Sequence, residues 1–182
     1  MPNYPTHTIA SAPEGSKPGL AQLQKAFGVI PNIAAAIANS PKLINSLVGV
    51  FAQVHSSSLT EQEIQIVLLT DAVANSSTYA VAFHTGLAIQ AKVSSGETTR
   101  IREGRVPTDK RFAALSTLAK TLIEKRGHLS DEEVDSFLSA GFTKEQVLEV
   151  IAIVAASTIT NYFATIANLP LDDAFQQYAW RG

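Results

Sequence analysis

The stretch Leu59 to Val93 constrains the fold more than any other part of the chain. Thr60 is followed three positions later by Glu63, the spacing of a capping box, and Leu59 stands where a staple residue would pack. The helix that this predicts runs to about Ala74. Its apolar residues, Ile64, Ile66, Val67, Leu68, Leu69, Ala72 and Val73, cover so wide an arc that it should lie centrally in the core. Asn75-Ser76-Ser77 is a polar break, and Ser76 or Ser77 can cap a second helix from Thr78 to Lys92. That second helix carries His84 among alanines, valines and aromatics.

Taken from its start, the chain opens with four prolines, Pro2, Pro5, Pro13 and Pro18, among small polar residues. This composition predicts an extended arm over 1–18 ahead of a single domain over 19–182. The arm can lie on the surface of its own chain or wrap a neighbouring subunit. Gly19 to Phe27 reads as a short helix stopped by Gly28, and Pro31 as a first-turn proline opening a helix through Ala38. Ser40 and Pro41 start the next, to about His55, with Leu43, Leu47, Val50, Phe51 and Val54 on one face. Ser94-Ser95-Gly96 reads as a stop before a short segment from Glu97 to Glu103, and Lys110 to Arg126 as a helix ended by Gly127. Ser130 with Glu133 and Thr143 with Gln146 are two more capping boxes, opening helices over Asp131–Ala140 and Lys144 to about Asn168. Phe175, Tyr178 and Trp180 in the tail read as a docked aromatic anchor. No stretch alternates as a strand does, so the fold class is all-α with eight or nine helices.

Sliding the chain on itself by 83 residues lays Thr60 on Thr143, Leu59 on Phe142, Ile64 on Val147, Val67 on Val150, Leu68 on Ile151 and Tyr79 on Tyr162. A repeated helical hairpin about a local twofold axis would produce this register, as would the chance similarity of two alanine-rich amphipathic helices. Ser77 falls on Thr160 and His84 on Ala167, so a site built on the histidine belongs to the first copy.

The chain has no cysteine, which removes disulfides, thiolate ligands and thiol nucleophiles together. A net charge of −2 gives no electrostatic footprint for nucleic acid or anionic lipid. The run Val147 to Ile159 contains Glu149 and falls short of the roughly 20 residues of a bilayer span. The expectation is a cytoplasmic protein with no nucleic-acid or membrane partner. His7, His55 and His128 are scattered and read as surface residues, no pair has metal-site spacing, and no cofactor motif is present.

The segments Gly28 to Asn32 (GVIPN), Asn39-Ser40-Pro41, Leu59-Thr60, Asn75 to Thr85 (NSSTYAVAFHT), Asn161-Tyr162-Phe163 and Pro170-Leu171-Asp172 carry a resemblance. They are similar to the alkylhydroperoxidase AhpD-like and carboxymuconolactone decarboxylase family, in its peroxidase-related branch, over about Gly19 to Trp180. The resemblance implies an AhpD-like helical bundle and a homo-oligomer, often a trimer or hexamer. It also implies a peroxidase site: a glutamate, a cysteine twelve residues on, a second cysteine at plus three, and a histidine four after that. Anchored on His84, those positions are Gln65, Ser77 and Ala80, so only the histidine remains. Ala80 has no proton to give, and Ser77 lies about 10 Å along the helix axis from His84. With Gln65 for the glutamate, the charge that would raise the basicity of the histidine is gone.

Two readings of His84 follow. It is a hydrogen-bonded relic, or it is a general acid or base, with Ser77 and Gln65, in a pocket where Tyr79, Ser76 and Ala80 bind a small organic acid or lactone. Decarboxylases of this family work without a redox cysteine pair, which supports the second. A non-catalytic small-molecule binder or oligomeric scaffold is the competing function.

Overall fold

The computed structural model describes residues 4–182. Its helices are α1 (Lys17–Phe27), α2 (Asn32–Ile37), α3 (Pro41–Val54), α4 (Glu61–Ala74), α5 (Thr78–Gln90), α6 (Ser95–Arg102), α7 (Lys110–Glu124), α8 (Asp131–Ser139) and α9 (Lys144–Ala167), with 3-10 turns at Glu14–Ser16 and Asp173–Tyr178. No strand occurs among the described residues, and the expected all-α fold class holds.

Helix α4 is the axis of the bundle. Its capping box forms in both directions, and ten residues from Glu63 to Ala72 are buried. It packs against α5, α6, α7 and α9. Ile64, Ile66, Val67, Leu68 and Leu69 are each within 1% of complete burial. At about 2 kcal/mol per aliphatic side chain, these five contribute on the order of 10 kcal/mol before conformational entropy is counted. The boxes at Ser130/Glu133 and Thr143/Gln146 also form. Two local readings change. Pro31 is the N-cap of α2 rather than its first residue, and Ser94, read as part of a stop, accepts from the Glu97 amide and starts α6.

The repeat holds at the capping box and at two core positions, where Leu59 and Phe142, and Val67 and Val150, are buried alike, although Ile151 is exposed where Leu68 is buried. It then fails: α9 runs straight through 158–160, where the first copy turns at Asn75-Ser76-Ser77 with Ser76 at φ 52°. The second copy is therefore one long helix and not a hairpin. Position 162 shows the consequence, since Tyr79 is buried and Tyr162 exposed. At 24 residues and mean hydropathy 1.7 over its most apolar window, α9 is longer than the run Val147–Ile159 and long and apolar enough to cross a membrane by length and composition. One face of it is core, with Val150, Ile153, Ala156, Ser157, Asn161 and Ala164 buried. That face is tied to α4 through Asp71, whose carboxylate accepts from Asn161 Nδ2 at 2.6 Å, Asn75 Nδ2 at 3.1 Å and Thr158 Oγ1 at 3.3 Å.

The described part of the N-terminal arm lies on its own chain. The His7 amide donates to the Ala35 carbonyl at 3.0 Å, Asn39 Nδ2 donates to the Pro5 carbonyl at 2.8 Å, and Tyr4 meets Phe163 edge-on at 5.0 Å. Residues 1–3 of the arm lie outside the described part, and α1 begins at Lys17, inside the segment expected to be extended. The tail is docked: Arg102 donates to the carbonyls of Tyr178 and Ala179, and Trp180 Nε1 donates back to the Arg102 carbonyl at 3.1 Å. Phe175 and Tyr178 sit so close to Gly86 that a Cβ there would stand 2.5 Å from the Phe175 ring. The absent side chain of Gly86 is what lets the tail close over α5.

Candidate functional site

Three apolar clusters meet around one cavity. Ile37, Ile44 and Val48 come from the cluster that α1–α3 form with the arm, Leu68 and Ala80 from the main core, and Tyr79 and Phe83 from the cluster beneath the tail. The cavity has a volume of about 420 Å³, within the usual range for a small-molecule site. Buried Ile37, Ile44, Leu68, Ala80 and His84 form its inner part, and exposed Gln22, Phe27, Ala52 and His55, from α1 and the end of α3, mark its mouth. No lysine or arginine lines it.

His84 is 7% exposed. Its Nδ1 lies 3.1 Å from Gln65 Oε1, Gln65 Nε2 donates to Glu61 Oε1 at 2.7 Å, and Glu61 Oε2 lies 2.9 Å from His55 Nδ1. Two imidazoles are thus joined through a glutamine and a carboxylate, over one turn of α4 and the adjoining end of α3. Helical spacing makes the link, because Glu61 and Gln65 are four residues apart on one face.

The charges follow from the surroundings. Burial, with the neighbouring His55 adding to it and Glu61 opposing, pushes His84 down to about 3, so its ring is neutral near neutral pH. Burial of Glu61 would raise its carboxyl. Hydrogen bonds with His55 and Gln65 and the attraction of His55 outweigh that and hold it below the usual carboxylate range. Burial pushes the Tyr79 hydroxyl up, as does its hydrogen bond to Asp172.

The structure brings His84, Gln65, Tyr79 and Ala80 to one cavity and leaves Ser76 and Ser77 out of its lining. Ser76 is exposed in the turn. Ser77 is the N-cap of α5 and 1% exposed, but its hydroxyl neither caps the helix nor finds any other partner among the described residues. The Tyr79 hydroxyl is already engaged, donating to Asp172 Oδ2 at 2.5 Å and accepting from the Ile33 amide at 3.2 Å. It therefore braces α5 against α2 and the tail, and its ring, stacked on Phe83 at 6.0 Å, forms cavity wall. Sequence reasoning missed His55, taken there for a surface residue, which lines the cavity, and Glu61, which stands in the first turn of α4. A visible signal was the spacing of Glu61 and Gln65 with a histidine six residues upstream. No group of three or more metal-ligating side chains exists among the described residues.

No family model matches the chain, and no curated protein does. Solved structures match along nearly its whole length. An uncharacterized peroxidase-related protein with the alkylhydroperoxidase AhpD core, from Ralstonia eutropha JMP134, superposes with a TM-score of 0.84 at 18% identity, covering 95% of this chain and 93% of that one. The debrominase Bmp8, as a cysteine-to-alanine variant in complex with 2,3,4-tribromopyrrole, gives 0.82 at 15% identity over 98% and 96%. An uncharacterized peroxidase-related protein from Silicibacter sp. TM1040 gives 0.80 at 16% identity over 96% and 95%. The chain has the AhpD-like all-helical fold.

Proposed function

We propose that this chain is a cysteine-free member of the AhpD-like family, and that its cavity binds a small, uncharged ring compound without thiol-dependent peroxidase chemistry. The observation that carries this reading is the cavity of about 420 Å³, lined mainly by apolar side chains and bordered by a histidine that burial keeps neutral. A site of this size takes a molecule of one or two rings. Burying such a ligand's apolar surface at about 25 cal/mol per Å² supplies the driving force, and the few polar groups supply orientation. The complex of the debrominase Bmp8 with a brominated pyrrole adds weight, since that protein shares the fold. An organic acid fits less well, because no cation lines the cavity to offset the cost of burying a carboxylate. His84, held near 3, is a poor general acid at neutral pH, and this favours binding over the acid-base reaction considered from the sequence.

A thermal-shift series tests this. Naphthalene- and indole-sized uncharged compounds should raise the melting temperature in proportion to the logarithm of concentration, while benzoate and naphthoate should not. The cavity-filling variant Ala80→Trp should lose the response. Equal stabilisation by the carboxylates, or a response that survives the filled cavity, would refute the proposal.

A second reading concerns assembly. Leu148, Ala152, Ala155, Ile159, Tyr162 and Ile166 are all exposed on α9 and follow one another at spacings of four and three, a heptad seam without charge. Leu148 is 66% and Tyr162 59% exposed. We read this seam as the contact between copies in a soluble, cytoplasmic homo-oligomer. Sedimentation should give a mass above that of one chain, and Ile159→Glu should return it to 19.4 kDa; a monomer at micromolar concentration would refute it.

A further inference from the structure

The hydrogen bonds behind His84 have a direction, and the direction dictates what the cavity can recognise. Glu61 is held in its ionised form, so both its oxygens only accept. Gln65 must therefore turn its amide N–H toward Glu61, at 2.7 Å, because its carbonyl there would meet a carboxylate. That leaves Gln65 Oε1 facing His84 Nδ1 at 3.1 Å, and a carbonyl oxygen can only accept. His84 Nδ1 thus carries the proton. In a neutral ring Nε2 is then bare, and it has no hydrogen-bond partner among the described residues. The glutamine transmits the sign of the carboxylate one helical turn inward and converts it into a tautomer.

Resting on the reading of this cavity as a small-molecule site, we propose that Glu61 and Gln65 are positioning residues that fix His84 as a hydrogen-bond acceptor there. The cavity thereby selects small aromatic or heteroaromatic molecules with an O–H or N–H donor, such as phenols and pyrrole-type rings, over isosteric acceptors. An ether or lactone oxygen placed against a bare imidazole nitrogen brings two lone pairs together. A donor of the same shape completes the chain from the ligand through His84, Gln65 and Glu61 to His55. No charge moves, and no proton need leave the ligand. Lactones, the substrates that the resemblance first suggests, are on the wrong side of this selection.

The test uses indole and benzofuran, which share shape and apolar surface and differ in one N–H, together with the wild-type chain and its Glu61→Gln and Gln65→Leu variants. Affinity is read by isothermal titration, and the His84 tautomer by long-range proton–nitrogen NMR. Wild type should bind indole roughly tenfold more tightly than benzofuran, the difference one hydrogen bond makes, and show His84 protonated on Nδ1. In Glu61→Gln the new amide can donate to Gln65 Oε1, so Gln65 turns over and donates to His84 Nδ1. The proton then moves to Nε2, and the preference should reverse toward benzofuran. Gln65→Leu leaves the ring free to choose, and the ratio should fall toward one. Equal binding of the two compounds by wild type, or an Nε2-protonated His84, overturns this inference and leaves the cavity reading intact. Binding of neither compound overturns both.

Discussion

Two buried groups on the helical core should pull stability in opposite directions as pH falls, and separating them checks the electrostatic reading of the site. The His84 pKa is lowered by burial to about 3 from 6.5. Between those values the unfolded chain takes up a proton that the folded chain refuses, so stability is present above pH 6.5 and is lost on acidification. From pH 7 to pH 4.5 this amounts to about 2.5 kcal/mol, from 1.36 kcal/mol per unit. Asp71 is raised by burial, against its hydrogen bonds, to about 6 from 3.8. Its folded form takes up a proton first, so it favours the folded state below pH 6 and penalises it above, by about 2 kcal/mol over the same interval. The two nearly cancel, and wild type should owe them a net change of well under 1 kcal/mol. Urea melts at pH 7 and pH 4.5 of wild type, His84→Leu and Asp71→Asn separate them. Relative to wild type, His84→Leu should gain about 2.5 kcal/mol on acidification and Asp71→Asn should lose about 2 kcal/mol. Parallel pH profiles for all three proteins would show that neither group is buried in the state described, and would remove the basis for a neutral His84.

Other perturbations follow from single contacts. Ser77→Ala removes a buried hydroxyl that has no partner, and should leave stability unchanged or raise it by about 1 kcal/mol in a urea melt; a loss above that would mean the hydroxyl is bonded. Gly86→Ala drives a methyl into Phe175, and should cost about 1–3 kcal/mol and red-shift the emission of Trp180, the single tryptophan, as the tail lifts; an unchanged spectrum would mean that the tail is not docked there. Arg111→Met withdraws the cation that donates to Glu63 at 2.8 Å and lies 3.9 Å over the Phe142 ring. Because Glu63 is buried and Arg111 partly exposed, we expect a loss of roughly 2 kcal/mol in a urea melt at pH 7; an unchanged midpoint would mean that the pair does not hold the buried carboxylate.

Helix starts were legible because capping is a matter of a few neighbouring residues. Thr60 with Glu63, Ser130 with Glu133 and Thr143 with Gln146 all form the bonds that their spacing implies. Where one residue type does two jobs, the reading failed. Ser94 looked like a terminator and is a cap, and Pro31 precedes its helix rather than opening it. The repeat misled at 158–160 for a related reason: Thr158, Ile159 and Thr160 lack the Asn-Ser-Ser pattern that breaks the first copy, and the helix continues. The cavity wall was only half legible. His84, Gln65, Tyr79 and Ala80 share it, because α5 and the face of α4 against it carry them at helical spacing. The carboxylate behind Gln65 is Glu61, one turn back on α4, and its partner His55 belongs to the end of a different helix. That conjunction is tertiary, and no local pattern announces it.

A small uncharged ring compound in the cavity between α1, α2, α3, α4 and α5 would lie against the methyl groups that line it. Methyl-resolved proton–carbon NMR during a titration with indole reads out its presence there. Saturable shifts should concentrate on Ile37, Ile44, Leu47, Leu68 and Ala80, with Leu118 and Leu122, on the far side of the core, unmoved. Shifts scattered over the exposed seam of α9 with those five methyls unchanged would contradict it.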